Sequence, residues 1–174
     1  MEPLMSRALC LTVCLLVPAA AGAQQAAPAA ISPQPAYATD SAAVHQVVTT
    51  LFDGMRTRDT AGMRALFHEP TAMRSAFIRQ GTNTVSADGV EDWLQGVASA
   101  PDTLFLDERL GPPDIRVDGN LASMWVYYEF YAGDRFSHCG VDSIQLARTD
   151  GGWKIILVSD SRRRADCSQS LSKH

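Results

Sequence analysis

Residues 121–163 read LASMWVYYEFYAGDRFSHCGVDSIQLARTDGGWKIILVSDSRR, and the punctuation of this stretch decides the fold. Leu121 to Ala132, Arg135 to Arg148 and Trp153 to about Arg163 read as extended, separated by Gly133-Asp134 and Asp150-Gly151-Gly152. Gly-Asp and Asp-Gly pairs tolerate the positive φ of tight turns, so between extended runs they signal hairpins. Just upstream, Leu104 to Leu110 and Asp114 to Val117 are also extended, bounded by Gly111-Pro112-Pro113 and Asp118-Gly119. Hairpins in succession make an antiparallel meander.

The turns also set which residues share a face, because opposed residues on paired strands lie on one side of the sheet. A two-residue turn at Asp150-Gly151 places His138 opposite Arg163, Asp142 opposite Ser159, Ile144 opposite Leu157 and Leu146 opposite Ile155. Phe136, His138, Asp142, Ile144, Leu146, Trp153, Ile155 and Leu157 then form the more apolar face. A similar turn at Gly133-Asp134 places Glu129 opposite His138, Tyr127 opposite Gly140 and Trp125 opposite Asp142. The inner face would then carry a polar row of Glu129, His138 and Arg163 beside Trp125, Tyr127, Tyr131 and Asp142. A bulge or three-residue turn would slip that register by one residue and bring Val126, Tyr128 and Phe130 inward instead. Gly140, in mid-strand, marks a bulge or sharp bend that would curl the sheet into a cone and open space beneath it.

The N-terminal half has a different period. Val44, Val47, Val48, Leu51, Phe52 and Met55 form one helical stripe, with Asp40 or Ser41 as its cap. A shorter helix follows Asp59, with Met63, Leu66 and Phe67 on one side, and ends before Pro70. After a strand over Ala72 to Gln80, a third helix starts near Asp88, buries Val90, Trp93, Leu94 and Val97, and stops before Pro101. A sheet with one apolar face must be covered, and these helices are the available cover. The fold class is therefore α+β, with N-terminal helices packed on one face of a curved, mostly antiparallel sheet.

Met1 to Arg7 followed by the apolar run Ala8 to Val17 and Ala21-Gly22-Ala23 reads as a secretory signal over residues 1–23. A membrane anchor is the alternative, but the apolar run is about half the length of a span. Residues 24–38, rich in Ala, Pro and Gln, read as a flexible linker, 39–167 as the domain and 168–174 as a tail. The expected location is periplasmic or secreted, with no membrane association after cleavage. The mature chain keeps Cys139 and Cys167, which suggests one disulfide closing a loop of roughly 28 residues, for about 3 kcal/mol of stabilisation. Two free thiols are the alternative. The formal net charge of -4 argues against nucleic acid as a partner. The histidines His45, His68, His138 and His174 have no metal-binding spacing, so neither a metal nor another cofactor is expected.

The pieces WVYYEFY (125–131), FSHCGVDSIQL (136–146) and GGWKIILVSDSRRR (151–164), with the order of elements, resemble the nuclear transport factor 2-like superfamily over about Asp40 to Asp166. That superfamily includes the SnoaL-like polyketide cyclases, ketosteroid isomerase and scytalone dehydratase. The chain is most similar to its small exported bacterial members of lumazine-binding type, in which a strand like Phe136 to Asp142 is typical. The resemblance implies a cone-shaped roll with an apolar cavity and a homodimer through the outer sheet face, which Val141, Ile156 and Val158 would suit.

The expected function is an exported binder of a small apolar or aromatic molecule, held by Trp125, Tyr127, Tyr128, Tyr131, Phe136, His138 and Arg163. The alternative is a cofactor-independent lyase or isomerase. There His138, oriented by Glu129 or Asp142, would act as general acid and base, since an imidazole beside a carboxylate moves protons near neutral pH. These groups could equally do no more than satisfy one another inside a curved sheet. A protein-interaction module is a third possibility.

Overall fold

Gly133 (φ 65°) and Gly152 (φ 94°) adopt the left-handed backbone that the two late hairpins require. In the computed structural model, which describes residues 35–167 and Leu171, these hairpins join β5 (Leu121–Ala132), β6 (Arg135–Thr149) and β7 (Gly152–Arg162). The expected signal peptide, residues 24–34 of the linker, and the tail apart from Leu171 lie outside the described residues. β5 also pairs with β3 (Leu106–Leu110) and β4 (Asp114–Asp118) along its other edge. Beyond β7 lies β1 (Phe67–Arg79), and beyond that β2 (Thr82–Gly89). Only the β1–β7 pairing is parallel among the described pairs.

The helices α1 (Pro35–Thr57), α2 (Thr60–Arg64) and α3 (Val90–Ser99) supply the cover. The stripe Val44, Val48, Leu51, Phe52 and Met55 of α1 and Val90, Leu94 and Val97 of α3 are buried in one cluster with Met124, Val126, Ile144, Leu146 and Ile155 of the sheet. The class is the α+β arrangement expected from the sequence.

Four local expectations change. Helix α1 begins at Pro35, within the stretch read as linker, so Asp40 is not its cap; its carboxylate pairs with Arg148 instead. Helix α2 does start after Asp59, whose Oδ1 accepts from the Gly62 N–H at 2.9 Å, but it stops at Arg64. The next residues are claimed by the sheet: the Leu66 carbonyl accepts from the Ile155 N–H at 2.9 Å, and Phe67 pairs with Ile155. β2 was not expected, because it is a polar edge strand whose Val85 is 70% exposed, leaving no apolar alternation to read.

The registers are the fourth change. β6 and β7 pair as expected near their turn, with Leu146 opposite Ile155, but Ile156 is an extra residue. Beyond that bulge each partner moves by one, so Ile144 opposes Val158, Asp142 opposes Asp160 and Cys139 opposes Arg163. Between β5 and β6 the extra residue is Ser137, after which Phe130 opposes His138 and Glu129 opposes Cys139. The slipped register is therefore the one adopted, and Val126 and Tyr128 are buried on the inner face. Val158 joins the inner core rather than the outer face. Both bulges leave His138 and Asp142 facing the helices: the Ile156 bulge shifts β7 against β6, and Ser137 lies on the turn side of His138, so it is Phe136 and β5 that change face.

After Arg163 the chain turns back, with Asp166 in the left-handed region (φ 56°), and a disulfide joins Cys167 to Cys139. Cys167 is thereby fixed to β6. Among the described residues no helix is long and apolar enough to cross a membrane.

A carboxyl pair in a cleft beneath the helices

At the end of the sheet beyond the apolar core, the inner face turns polar. Leu51 and Phe52 of α1, Met73 of β1, Trp93 of α3 and Val158 of β7 wall a cleft of about 60 Å³. Its polar lining is Glu108 of β3, Tyr128 of β5, His138 and Asp142 of β6, and Asp160 and Arg162 of β7. The volume suits one or two waters or the edge of a larger molecule, well below the roughly 300 Å³ at which whole-ligand pockets begin.

The lining divides into a satisfied half and an unsatisfied half. Asp160 accepts from Ser75 Oγ at 2.5 Å, Tyr128 Oη at 3.2 Å and Arg162 Nε at 2.6 Å. Tyr128 also lies 3.1 Å from the Ser161 carbonyl, and burial together with the surrounding carboxyls drives its ionisation far above the ordinary range. It remains a neutral donor. Arg162 stays charged, half exposed at the mouth of the cleft.

Asp142 is different. It is 4% exposed, and no N–H or O–H donor of the described residues reaches its Oδ2. It lines the same cleft as Glu108, and the two carboxyls act on each other's ionisation. Burial raises Glu108 to about 7, with Asp160 adding to the rise, and burial with Glu108 beside it raises Asp142 well above the usual carboxylate range. Two like charges in a dry site cannot both form, so the pair retains a proton near neutral pH.

His138 stands beside this pair in an aromatic corner. Its ring meets Tyr128 edge-on at 5.6 Å and Phe130 at 5.2 Å, and its Nδ1 lies 3.1 Å from Ser137 Oγ. Burial, reinforced by the positive charge of Arg162, holds its imidazolium down to about 4. At neutral pH the ring is uncharged.

The residues expected at the site therefore separate by face. His138, Asp142 and Tyr128 line the cleft. Glu129, Tyr127, Tyr131 and Phe136 lie on the outer side, because the Ser137 bulge reverses the facing of β5 relative to the expected register. There Tyr127 and Tyr131 donate to Glu129, and Phe136 packs edge-on against Tyr131. Trp125 is 59% exposed and borders an outer hollow of about 400 Å³ with Asp114, Arg116 and Ser143. Arg163 belongs to the outer face with Cys139, and Arg162 takes the cleft position instead.

Glu108, Asp160 and Arg162 were missed. Glu108 left a readable signal: it stands between Leu106 and Leu110 at period two, and an apolar pair flanking a carboxylate on one strand face marks that carboxylate as inward. Asp160 and Arg162 left none, since their facing depends on where the bulge at Ile156 falls.

Helices over a curled sheet, with a polar cleft at one end, define a nuclear transport factor 2-like α+β fold, and solved structures agree. A protein of unknown function from Nostoc punctiforme with a cystatin-like fold superposes with a TM-score of 0.58 at 17% identity, over 74% of this chain and 94% of that one. A dehydratase-labelled member of the NTF2-like family from Streptomyces avermitilis gives 0.56 at 18%, over 74% and 99%. A protein of unknown function from Mycobacterium tuberculosis gives 0.62 at 16%, over 81% and 83%. At these identities the likeness establishes the fold alone. No curated protein matches the sequence. Residues 39–158, more than half of the chain, match the family described as "Putative lumazine-binding", and the chain belongs to that family.

Proposed function

We propose that this chain binds a small, planar, neutral aromatic molecule carrying adjacent hydrogen-bond donor and acceptor groups, as a pteridinedione such as lumazine does. The Glu108–Asp142 pair reads that edge. The observation that supports this reading is Asp142 itself, a buried carboxyl in the lining of the cleft whose Oδ2 has no donor among the described residues. A carboxylic acid presents one O–H and one C=O, the complement of an amide or imide edge. Burying such a pair costs stability, and a cost of this kind concentrates at functional sites. The cleft admits the polar edge, while the rest of the ring sits at the mouth near Trp93 and Arg162. Export to an oxidising compartment belongs to the same reading, supported by the Cys139–Cys167 bond. So does a homodimer through the outer face, where Trp125 and Leu121 are 59% and 53% exposed.

Lumazine titrated into the protein should quench the fluorescence of Trp93 saturably. Asp142→Leu, which leaves an apolar wall and a folded chain, should weaken binding about 10- to 100-fold, the usual cost of losing hydrogen bonds to a charged or acidic group. Unchanged affinity in that variant, or no saturable binding of lumazine, removes the reading.

A second reading is proton-transfer catalysis by a cofactor-independent lyase or isomerase. A carboxyl poised at about 7 beside an uncharged imidazole favours it, since one group holds a proton and the other can receive one. Asp142 and Glu108, rather than Glu129, would then be the partners of His138. In that case His138→Gln abolishes turnover while leaving binding intact.

A further inference from the structure

The two ends of the sheet are finished differently. At one end β3 is short and carries Asp107, Glu108 and Arg109 in a row, and Arg56 of α1 donates to the Glu108 carbonyl. Charges and covering side chains are devices that keep a strand edge from pairing with another chain. At the other end β2 pairs with β1 alone among the described strands, over eight residue pairs without a register shift. Its turn residues, Gln80 and Gly81, both have positive φ, the turn that continues the strands' own twist. From Thr82 to Ala87 the strand holds no charged residue and no proline. Its far edge is therefore regular and unguarded.

The residues along this edge are complementary to those of a second copy. Antiparallel pairing about a two-fold axis through Val85 sets Thr84 against the copy's Ser86, Asn83 against its Ala87 and Thr82 against its Asp88. Opposed residues share a face of the sheet. Val85, 70% exposed, would thus meet its counterpart on the outer side, near Ile78 of β1, which is 71% exposed. No like charges are opposed. Arg79 pairs with Thr82 across the hairpin, so it falls in line with the copy's Asp88. Two strand spacings, about 10 Å between Cα atoms, separate them, a gap that the long arginine side chain spans. Within one chain Arg79 and Asp88 stand at opposite ends of the hairpin, about 20 Å apart, and cannot pair.

We propose that the free edge of β2 is an association surface for a second copy of this chain, joined antiparallel about a two-fold axis at Val85, with Arg79 and Asp88 pairing across the joint at both ends. The symmetry uses each copy's edge once, so this contact closes at two copies. One strand edge falls short of the roughly 1,000 Å² that a lasting interface buries, so the pairing is weak and reversible. It is distinct from pairing through Trp125 and Leu121, which lie on β5, four strand positions away from β2 in the sheet.

Hydrogen exchange of the full chain, read at single amides by NMR from about 10 μM to about 1 mM, tests this edge whatever the outer face does. Protection of the β2 amides that face away from β1 should rise at least threefold over that range. Val85→Lys, which sets two ammonium groups face to face, should move the rise to at least tenfold higher concentration. Arg79→Glu and Asp88→Lys should each move it about tenfold, because each puts like charges at both ends of the joint. Mixed in equal amounts, these two variants should regain the wild-type midpoint, since the mixed pair sets Glu against Lys at one end and keeps Arg79 against Asp88 at the other. All three side chains are exposed, so the variants probe the contact rather than the core. Amides still unprotected at about 1 mM overturn the proposal, whether the edge then stays bare or takes up an added peptide of alternating threonine and valine. So does protection that Val85→Lys leaves unchanged, or a mixture of the charge variants that pairs no better than either alone.

Discussion

Asp142→Asn will make the protein more stable than the wild type at pH 8, and the gain will vanish toward pH 4.5. Glu108 has an ordinary value of 4.5 and is raised to about 7 in the folded chain. Between those values the folded state holds a proton that the unfolded state has released. Stability from this group is therefore full below 4.5 and is lost as pH rises through about 7. The loss is about 3 kcal/mol for a shift of this size. Asparagine keeps the shape and has no proton to lose, so the part of the pH dependence that comes from Asp142, itself raised by burial and by Glu108 beside it, disappears, while the part that Glu108 owes to its own burial remains in both proteins. His138 acts in the opposite sense: its value falls from 6.5 to about 4, so its contribution is present above 6.5 and is lost as pH falls through 4. Because His138 remains in both proteins, the difference between them cancels its effect. Denaturant unfolding of the two proteins from pH 4.5 to 8 measures that difference, and a difference flat with pH would refute the retained proton.

The second large effect is structural. In Gly140→Ala the new Cβ would lie 1.7 Å from the Ser161 carbonyl oxygen and 2.9 Å from Tyr128 Cε1. The first contact is with backbone, which no rotamer change can relieve. The close approach is held from both sides: the Val141 N–H donates to Ser161 Oγ at 3.1 Å, and the Tyr128 hydroxyl donates to the Ser161 carbonyl. Parting β6 from β7 here would cost about 3 kcal/mol or more, at the upper end of overpacking penalties. It would also move Tyr128 away from Asp160. Thermal unfolding of Gly140→Ala should show a large drop in Tm, and a Tm within a degree or two of wild type would mean that β6 and β7 do not need this close approach.

The two effects show which parts of the molecule were legible beforehand. The hairpins were, because Gly133 and Gly152 stand where only a positive φ closes the turn. The inward facing of His138 and Asp142 was also legible, since it follows from the alternation along β6 itself. The partners of those residues were not. Each depends on a single extra residue, Ser137 or Ile156, and a bulge leaves no mark on a hydrophobic pattern. Around Ile156 the run Ile155-Ile156-Leu157-Val158 is apolar at every position, so alternation cannot locate the slip. The consequence is specific: Glu129 moved from partner of His138 to acceptor from the Leu171 N–H, and Arg163 gave its place to Arg162.

The account rests on a proton that Glu108 and Asp142, the two carboxyls lining the cleft under the helices, retain near neutral pH. A carbon-13 titration of the side-chain carboxyls of Glu108 and Asp142, followed by NMR from pH 3 to 9, measures it directly. The retained proton predicts that both resonances stay in the protonated range at pH 5 and that the first ionisation of the pair comes at about 7. Two carboxyls that titrate independently near 4 would contradict it.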